Sequence, residues 1–201
     1  MKLLLATALF LFSLSSCAST KLNKGIGIET DAIVVQKAQE SGIAFISNGD
    51  QYQLISGGLA FATDMSTSGI SASQSHGLGE LLWEGVNGTF DLTISSQNAN
   101  QQNAQVLSNS TSYRQIAYNQ RTEGIAIITG QIIVTYTAEY DATFIATNFG
   151  IQLIYNFPHL NTAFYTLNPG QDIFLMTNSL NQSGIVSSAE VEVMENFAMP
   201  N

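Results

Sequence analysis

The stretch IAFISNGDQYQLIS (residues 43–56) determines how the fold begins. Two runs of strand-forming character, Ile43–Ser47 and Gln51–Ser56, flank the dipeptide Asn48-Gly49. This dipeptide is the strongest short hairpin signal, because a type I′ turn needs positive φ at both central residues and Asn and Gly reach it at little cost. The sequence therefore predicts a two-stranded antiparallel hairpin.

The residues before the hairpin favour a short helix. Thr30 or Asp31 can cap its N-terminus, the helix would run through Gln39, and Gly42 stands where a glycine usually follows a C-cap. The β-branched triplet Ile33-Val34-Val35 is also compatible with a strand, so both readings stay open.

The residues after the hairpin predict further helices and strands. Helices are expected at Gly79–Trp83 and Ala104–Gln120, and Phe90, Leu92 and Ile94 alternate as in a half-buried strand over Thr89–Ser95. Beyond Gly124 the runs predict strands at Ile125–Ile128, Ile132–Tyr136, Thr143–Ala146 and Ile151–Phe157. After Pro158, three more strand-like runs follow: AFYTL (163–167), DIFLMT (172–177) and AEVEV (189–193).

Composition limits the classes of partner. The chain has 201 residues, of which 45% are hydrophobic, enough for a core and too many for a disordered chain. Only 10% are charged, and the formal net charge is −9. Because phosphate binding needs clustered Lys and Arg and this chain has six, spread along its length, nucleic acid is excluded as a partner. A polar, uncharged surface suits an exported protein.

The N-terminus predicts export and a lipid anchor. Lys2 precedes the apolar run Leu3–Leu14, which has the length of a signal-peptide core and is shorter than the roughly 20 residues of a spanning helix. The run ends in Leu14-Ser15-Ser16-Cys17, which resembles the lipobox of bacterial lipoproteins. The resemblance implies a signal peptide over residues 1–16, a diacylglycerol and a palmitate on Cys17, and a tether over residues 17–29. The alternative is an ordinary secretory signal that is cleaved near a cysteine.

The lipobox resemblance also implies a location. Ala18 replaces the aspartate that retains many lipoproteins in the inner membrane, so the resemblance implies the outer membrane, with the protein facing the periplasm or the cell surface. Cys17 is the only cysteine, so no intramolecular disulfide is expected. The membrane is then a partner through the lipid.

Several short segments resemble an OmpA-like domain. They are Leu59–Asp64 (LAFATD), Phe90–Ser95, Leu107-Ser108, Gly124-Ile125 and Asn148–Ile154. The resemblance, which extends to the OmpA-like outer-membrane lipoprotein of type IVB (Dot/Icm) secretion systems, implies an α+β fold. In it, a βαβαβ mixed sheet would span residues 30–157 and a β-rich C-terminal extension residues 158–201. An all-β sandwich is the alternative fold.

The charges that bind peptidoglycan in OmpA-like domains are missing. The family holds the diaminopimelate of the stem peptide with an aspartate and an arginine, whereas this chain has Ile94–Gln97 and Asn148–Gly150 at those places. Asp91 and Arg114 are the nearest charges that could compensate. A zwitterion needs paired opposite charges in a fixed geometry, so peptidoglycan binding with the family's affinity is not expected.

No catalytic, metal or cofactor motif is present in the sequence. His76 and His159 stand outside any metal-binding spacing, and Glu80 and Glu84 beside Trp83 are better explained as solvated carboxylates than as a glycosidase pair. We therefore expect no catalytic residues, metal or cofactor.

Two hypotheses about function follow. The first is a non-enzymatic outer-membrane lipoprotein that forms a structural part of an envelope assembly such as a secretion apparatus. The second is a β-sandwich surface lipoprotein that binds a protein or glycan as an adhesin does. The ligand-binding residues stay unknown from sequence.

Overall fold

The computed structural model describes residues 32–62, 79–96 and 113–195. Three helices lie in these ranges: α1 Ala32–Ser41, α2 Ala142–Phe149 and α3 Ile173–Gln182. Nine strands accompany them: β1 Ala44–Ser47, β2 Asp50–Ala62, β3 Leu81–Asn87, β4 Phe90–Ser95, β5 Tyr113–Asn119, β6 Ile125–Tyr136, β7 Gln152–Phe157, β8 Thr162–Thr166 and β9 Val186–Met194. A 3₁₀ turn, Pro158–Leu160, joins β7 to β8. None of the helices in these ranges is long and apolar enough to cross a bilayer.

The strands form one sheet in the order β3-β4-β2-β5-β6-β8-β7, with β1 paired to β2 and β9 paired to β6. The two longest strands, β2 and β6, each change partner along their length. One edge of β2 pairs first with β1 and then with β4, and its other edge pairs with β5. One edge of β6 pairs first with β5 and then with β8, and its other edge pairs with β9. Strands from both sides of residue 158 therefore share one sheet.

The predicted hairpin is confirmed. Ser47 pairs with Asp50, and the two turn residues Asn48 and Gly49 have φ values of 50° and 80°. Positive φ at both positions is the signature of the type I′ turn, whose twist matches that of the flanking strands.

Replacing Gly49 by valine is expected to destabilise the protein by about 1 to 3 kcal/mol, because a β-branched residue is strained at positive φ. A Cβ at Gly49 would meet nothing within 4 Å, so the effect would come from the backbone and not from a clash. Gly49→Asn is the matched control, since asparagine tolerates this conformation. Thermal unfolding measures both variants. An unchanged melting temperature for Gly49→Val would contradict the turn.

The first predicted helix is also confirmed from Ala32 onward, while its predicted cap, Thr30 or Asp31, lies outside the described residues. The strand alternative for Ile33–Val35 is wrong. α1 buries Val34 and Ala38, one helical turn apart, against β2. Gly42 follows the helix at φ 66°, as expected.

Two predicted helices are strands. Gly79–Trp83 leads into β3, which alternates between less and more exposed residues with the period of two that a strand requires. Within Ala104–Gln120, the described residues form β5, which is paired on both sides by β2 and β6. Hydrogen bonding to two neighbours outweighed the helical pattern, while residues 104–112 lie outside the described part. The predicted strand over Thr89–Ser95 is confirmed as β4.

Two predicted strands are helices. Thr143–Ala146 lies in α2, where the Asp141 carboxylate accepts the Phe144 N–H and Gly150 ends the helix at φ 62°. The DIFLMT run begins α3, where the Asp172 carboxylate accepts two backbone N–H groups. In both cases a capped N-terminus outweighed the strand propensity of the apolar residues. The strands predicted at Ile151–Phe157, AFYTL and AEVEV correspond to β7, β8 and β9.

The fold is mainly β, since 52% of the described residues lie in strands and 23% in helices. Every strand pair in the described ranges is antiparallel, whereas a βαβ crossover joins parallel strands. The OmpA-like arrangement is therefore not confirmed. The two runs Ile125–Ile128 and Ile132–Tyr136 form one strand, β6, with an irregular pairing near Gly130.

Three groups of buried side chains stabilise the sheet. α1 covers one group around Ile55, Leu92 and Ile116. α2 and α3 cover a second around Ile132 and Tyr165. A third group lies where β1, β2, β5, β6 and β9 come together, and Phe174 of α3 packs against it.

Candidate functional site

The residues singled out for chemistry do not come together. Cys17 and His76 lie outside the described residues. His159 is exposed in the 3₁₀ turn beside the Phe157 ring. Glu80, just before β3, and Glu84, within β3, are also exposed. The described residues contain no group of three or more His, Cys, Asp or Glu side chains that could hold a metal.

Asp91 and Arg114 point to opposite faces of the sheet. Asp91 pairs with Phe61 across β4 and β2, and Arg114 pairs with Ala60 across β5 and β2. Paired residues share a face and consecutive residues on a strand alternate, so these two side chains lie on different sides. Arg114 instead donates a hydrogen bond to the Thr129 carbonyl oxygen. Asp91 and Arg114 therefore do not lie on one face, as two charges that hold one zwitterion would.

The clearest candidate site is an exposed apolar surface on β7 and the turn after it. We define the β7 surface by Ile154, Tyr155, Phe157 and Leu160, whose exposed fractions are 39%, 58%, 38% and 61%. β7 ends the main strand order, so within the described chain only β8 pairs with it. An end strand with exposed apolar side chains and an unpaired edge is a template for binding another chain.

A register shift in β7 turns its aromatic residues outward. Leu153 pairs with Tyr165 and faces the core. In a regular strand Tyr155, two residues later, would face the core as well. It pairs instead with Phe164, the residue next to Tyr165 on β8, so its side chain lies on the opposite face. Tyr155 and Phe157 then contact the Phe164 ring edge-on, with centroid distances of 6.3 and 5.9 Å. These contacts hold the exposed rings in place, and pairs of this geometry contribute about 0.5 to 1.5 kcal/mol beyond burial.

A polar cluster ties the last described residue to the first hairpin. The Arg121 guanidinium donates two hydrogen bonds to the Asp50 carboxylate at 2.6 and 2.5 Å. The buried Asn119 amide donates to Asp50 and to Glu195, and the Tyr52 hydroxyl donates to Glu195 at 2.8 Å. Arg121, and then Asn119, lower the pKa of Asp50 to about 2. Burial, and then the Glu195 hydrogen bond, raise the pKa of Tyr52. The cluster thus joins the end of β9 to β2 and to the residues after β5 through hydrogen bonds.

Removing the guanidinium should raise the pKa of Asp50. In Arg121→Ala we expect this pKa to move from about 2 towards the ordinary aspartate value near 3.9. Because the folded-state pKa is depressed, the stabilisation exists above the ordinary value and is lost as pH falls towards 2. A carboxyl ¹³C NMR titration measures it, with Lys37→Ala as control, since Lys37 pairs with Glu40 instead. An Asp50 pKa that Arg121→Ala leaves unchanged would contradict the assignment.

The chain belongs to a family defined by sequence. Residues 36–200 match the family described as open reading frame 2 N-terminal domain (ORF_2_N), which covers most of the chain. The chain is therefore a member of the ORF_2_N family. No curated protein matches the sequence significantly.

One solved structure also shows similarity to the chain. It is titled as the crystal structure of the Aeromonas sobria serine protease (ASP) in complex with the chaperone (ORF2). The match covers 44% of this chain and 85% of that chain, with 17% identity and a TM-score of 0.36. A similarity of this size bears on neither the fold nor the function of this chain.

Sequence reasoning missed the β7 surface. The run QLIYNF (152–157) correctly predicts a strand. The run contains no charged residue, such as the lysines that usually protect an edge strand. This is the sequence signal for an edge strand that is open to a partner.

Proposed function

We propose that the chain is a non-enzymatic lipoprotein of the bacterial outer membrane that binds a partner protein of the envelope through the β7 surface. The partner belongs to an assembly such as a secretion apparatus, and the lipid on Cys17 keeps the chain at the membrane. The observation that carries the proposal is the exposed apolar end strand.

Two features support a protein as the partner. Edge strands are normally protected by lysine, proline or a covering element, and β7 carries no charged residue while Pro158 follows only at its end. The exposed side chains include tyrosine and phenylalanine, which are enriched at protein interfaces. Peptidoglycan is disfavoured, because Asp91 and Arg114 lie on opposite faces.

Site-specific crosslinking in the native envelope tests the proposal. A photoreactive phenylalanine analogue at position 155 of the full lipidated chain should give a defined adduct with one envelope protein. The same analogue at Leu175, which is 68% exposed on α3, is the matched control and should not.

Substitution gives the second arm of this test. The double variant Tyr155→Ser with Phe157→Ser should lose the partner in co-purification, whereas Leu175→Ser should keep it. Both sites are exposed, so the fold should survive. Equal adducts at positions 155 and 175, or co-purification that persists in the double variant, would refute the proposal.

A further inference from the structure

The sequence contains two Asn-Gly pairs, and each lies at a hairpin. Asn48-Gly49 forms the turn between β1 and β2, and Asn87-Gly88 lies where β3 passes to β4. An asparagine followed by glycine is prone to deamidation, because glycine has no side chain to shield its backbone nitrogen from the asparagine amide. The two pairs are chemically alike, so a difference in their reactivity would come from the fold.

The Asn48 side chain is open to reaction. Ser47 pairs with Asp50, so Asn48 and Gly49 are the two residues of the turn itself. Both are exposed, and a Cβ at Gly49 would meet nothing within 4 Å, which leaves open space beside this residue. Within the described part of the chain, the Asn48 side-chain amide makes no hydrogen bond, while its backbone N–H donates to the Glu190 carboxylate at 2.7 Å.

The Asn87 side chain, in contrast, is fixed in the sheet. Asn87 is the last residue of β3, it pairs with Phe90 of β4, and only 5% of it is exposed. Its amide nitrogen donates to the Ile125 carbonyl oxygen at 3.2 Å. Before Asn87 could react, this hydrogen bond would have to break and the side chain would have to leave its buried position. Because a buried polar group without a partner is costly, we expect Asn87 to react about tenfold or more slowly than Asn48.

We propose that Asn48 is a site of spontaneous deamidation in the folded protein and that the fold protects Asn87. The Gly49 nitrogen gives its proton to solvent and attacks the side-chain carbonyl carbon (Cγ) of Asn48. The bond from Cγ to the amide nitrogen then breaks, and the leaving nitrogen takes up a proton and departs as ammonia. Water opens the resulting cyclic succinimide at either carbonyl carbon, which gives aspartate or isoaspartate. The inference does not rest on the function proposed above.

Both products change the first hairpin. Each adds a negative charge to the residue whose N–H contacts the Glu190 carboxylate, so like charges meet there. Isoaspartate also lengthens the backbone by a methylene inside a two-residue turn, whose φ values of 50° and 80° match the twist of the flanking strands. Deamidation of Asn48 is therefore expected to weaken the contact between the first hairpin and β9.

Peptide mapping of the ageing protein tests the site. Chymotrypsin cuts after aromatic residues and so releases the two turns as ISNGDQY (46–52) and EGVNGTF (84–90), each with one Asn-Gly pair. The full lipidated chain is incubated at mildly alkaline pH, once folded and once in guanidinium, and is then digested. Mass spectrometry follows the replacement of the amide NH₂ group by a hydroxyl, and fragment spectra distinguish aspartate from isoaspartate.

The folded chain should deamidate about tenfold or more faster at Asn48 than at Asn87, and in guanidinium the two rates should be alike. Gly49→Asn is the control variant, since asparagine keeps the positive φ of the turn but shields the backbone nitrogen, so deamidation at position 48 should be largely lost. Equal rates at the two sites in the folded chain, an Asn48 that does not react, or a preference for Asn48 that persists in guanidinium would each overturn the inference.

Thermal unfolding tests the effect on the hairpin. Asn48→Asp supplies the charge without the extra methylene and should lower the melting temperature, and the deamidated protein, which contains isoaspartate, should melt lower still. In a Glu190→Gln background the effect of Asn48→Asp should be smaller, because the repulsion is gone. A deamidated protein that melts like the unmodified one, or an effect of Asn48→Asp that is the same in both backgrounds, would overturn this part of the inference.

Discussion

Replacing Tyr165 by alanine is expected to lower the free energy of unfolding by about 3 to 5 kcal/mol. Tyr165 is fully buried among the side chains beneath α2 and α3, and its hydroxyl donates to the Ala142 carbonyl oxygen at 3.0 Å. Truncation removes the ring, leaves a cavity and breaks the hydrogen bond between β8 and the start of α2. Since domains of ordinary size are stable by about 5 to 15 kcal/mol, the loss is a large share of the total.

Two further variants separate the causes. Tyr165→Phe keeps the ring and loses only the hydrogen bond, so it should cost about 1 kcal/mol. Tyr155→Ala removes the same kind of side chain from an exposed position on the neighbouring strand, so it should cost only about 0.5 to 1.5 kcal/mol, the contribution of its ring contact with Phe164. Urea unfolding followed by circular dichroism measures all three variants. A cost for Tyr165→Ala no greater than that for Tyr165→Phe would show that the ring does not fill the core.

Replacing Cys17 by serine is expected to abolish attachment to the membrane. Serine has no thiol to form the thioether to diacylglycerol, so the chain should remain unprocessed or be released as a soluble species. Two or three acyl chains on one residue hold a protein firmly at a bilayer, while one chain gives only marginal binding. The change in the membrane-bound fraction should therefore be nearly complete.

Fractionation with labelled palmitate measures this effect. Ser16→Ala, which keeps a small residue before the cysteine, is the control and should be labelled and bound as in the wild type. A Cys17→Ser protein that stays in the membrane at its mature size would mean that the lipobox interpretation is wrong.

Local signals in the sequence predicted those elements whose cause is local. The hairpin follows from Asn48-Gly49, and the end of α1 follows from Gly42. Both depend on residues a few positions apart. The caps Asp141 and Asp172 are equally local signals for α2 and α3, but the apolar runs that follow them have strand propensity and predict strands.

The remaining elements depend on partners that are distant in the sequence. Tyr113–Asn119 is a strand because β2 and β6 lie on both sides of it, and no pattern within the segment specifies those neighbours. The β7 surface depends on the register shift after Leu153, which only pairing with β8 defines. Ile46 and Glu190 line one groove, and their closeness follows from the order of the strands and not from the sequence around either residue.

The tie between Glu195 and Tyr52 has a consequence for how the chain reaches its folded state. The two residues are 143 positions apart, and β9 pairs along β6 only after almost the whole chain is available. Contacts between residues so far apart tend to form slowly, because the intervening chain has to close a long loop before the contact can form. A chain still emerging from its synthesis lacks β9, so this edge of β6 stays open until residues 186–194 are available. Pairing of β9 with β6 therefore comes late in the folding of a newly made chain.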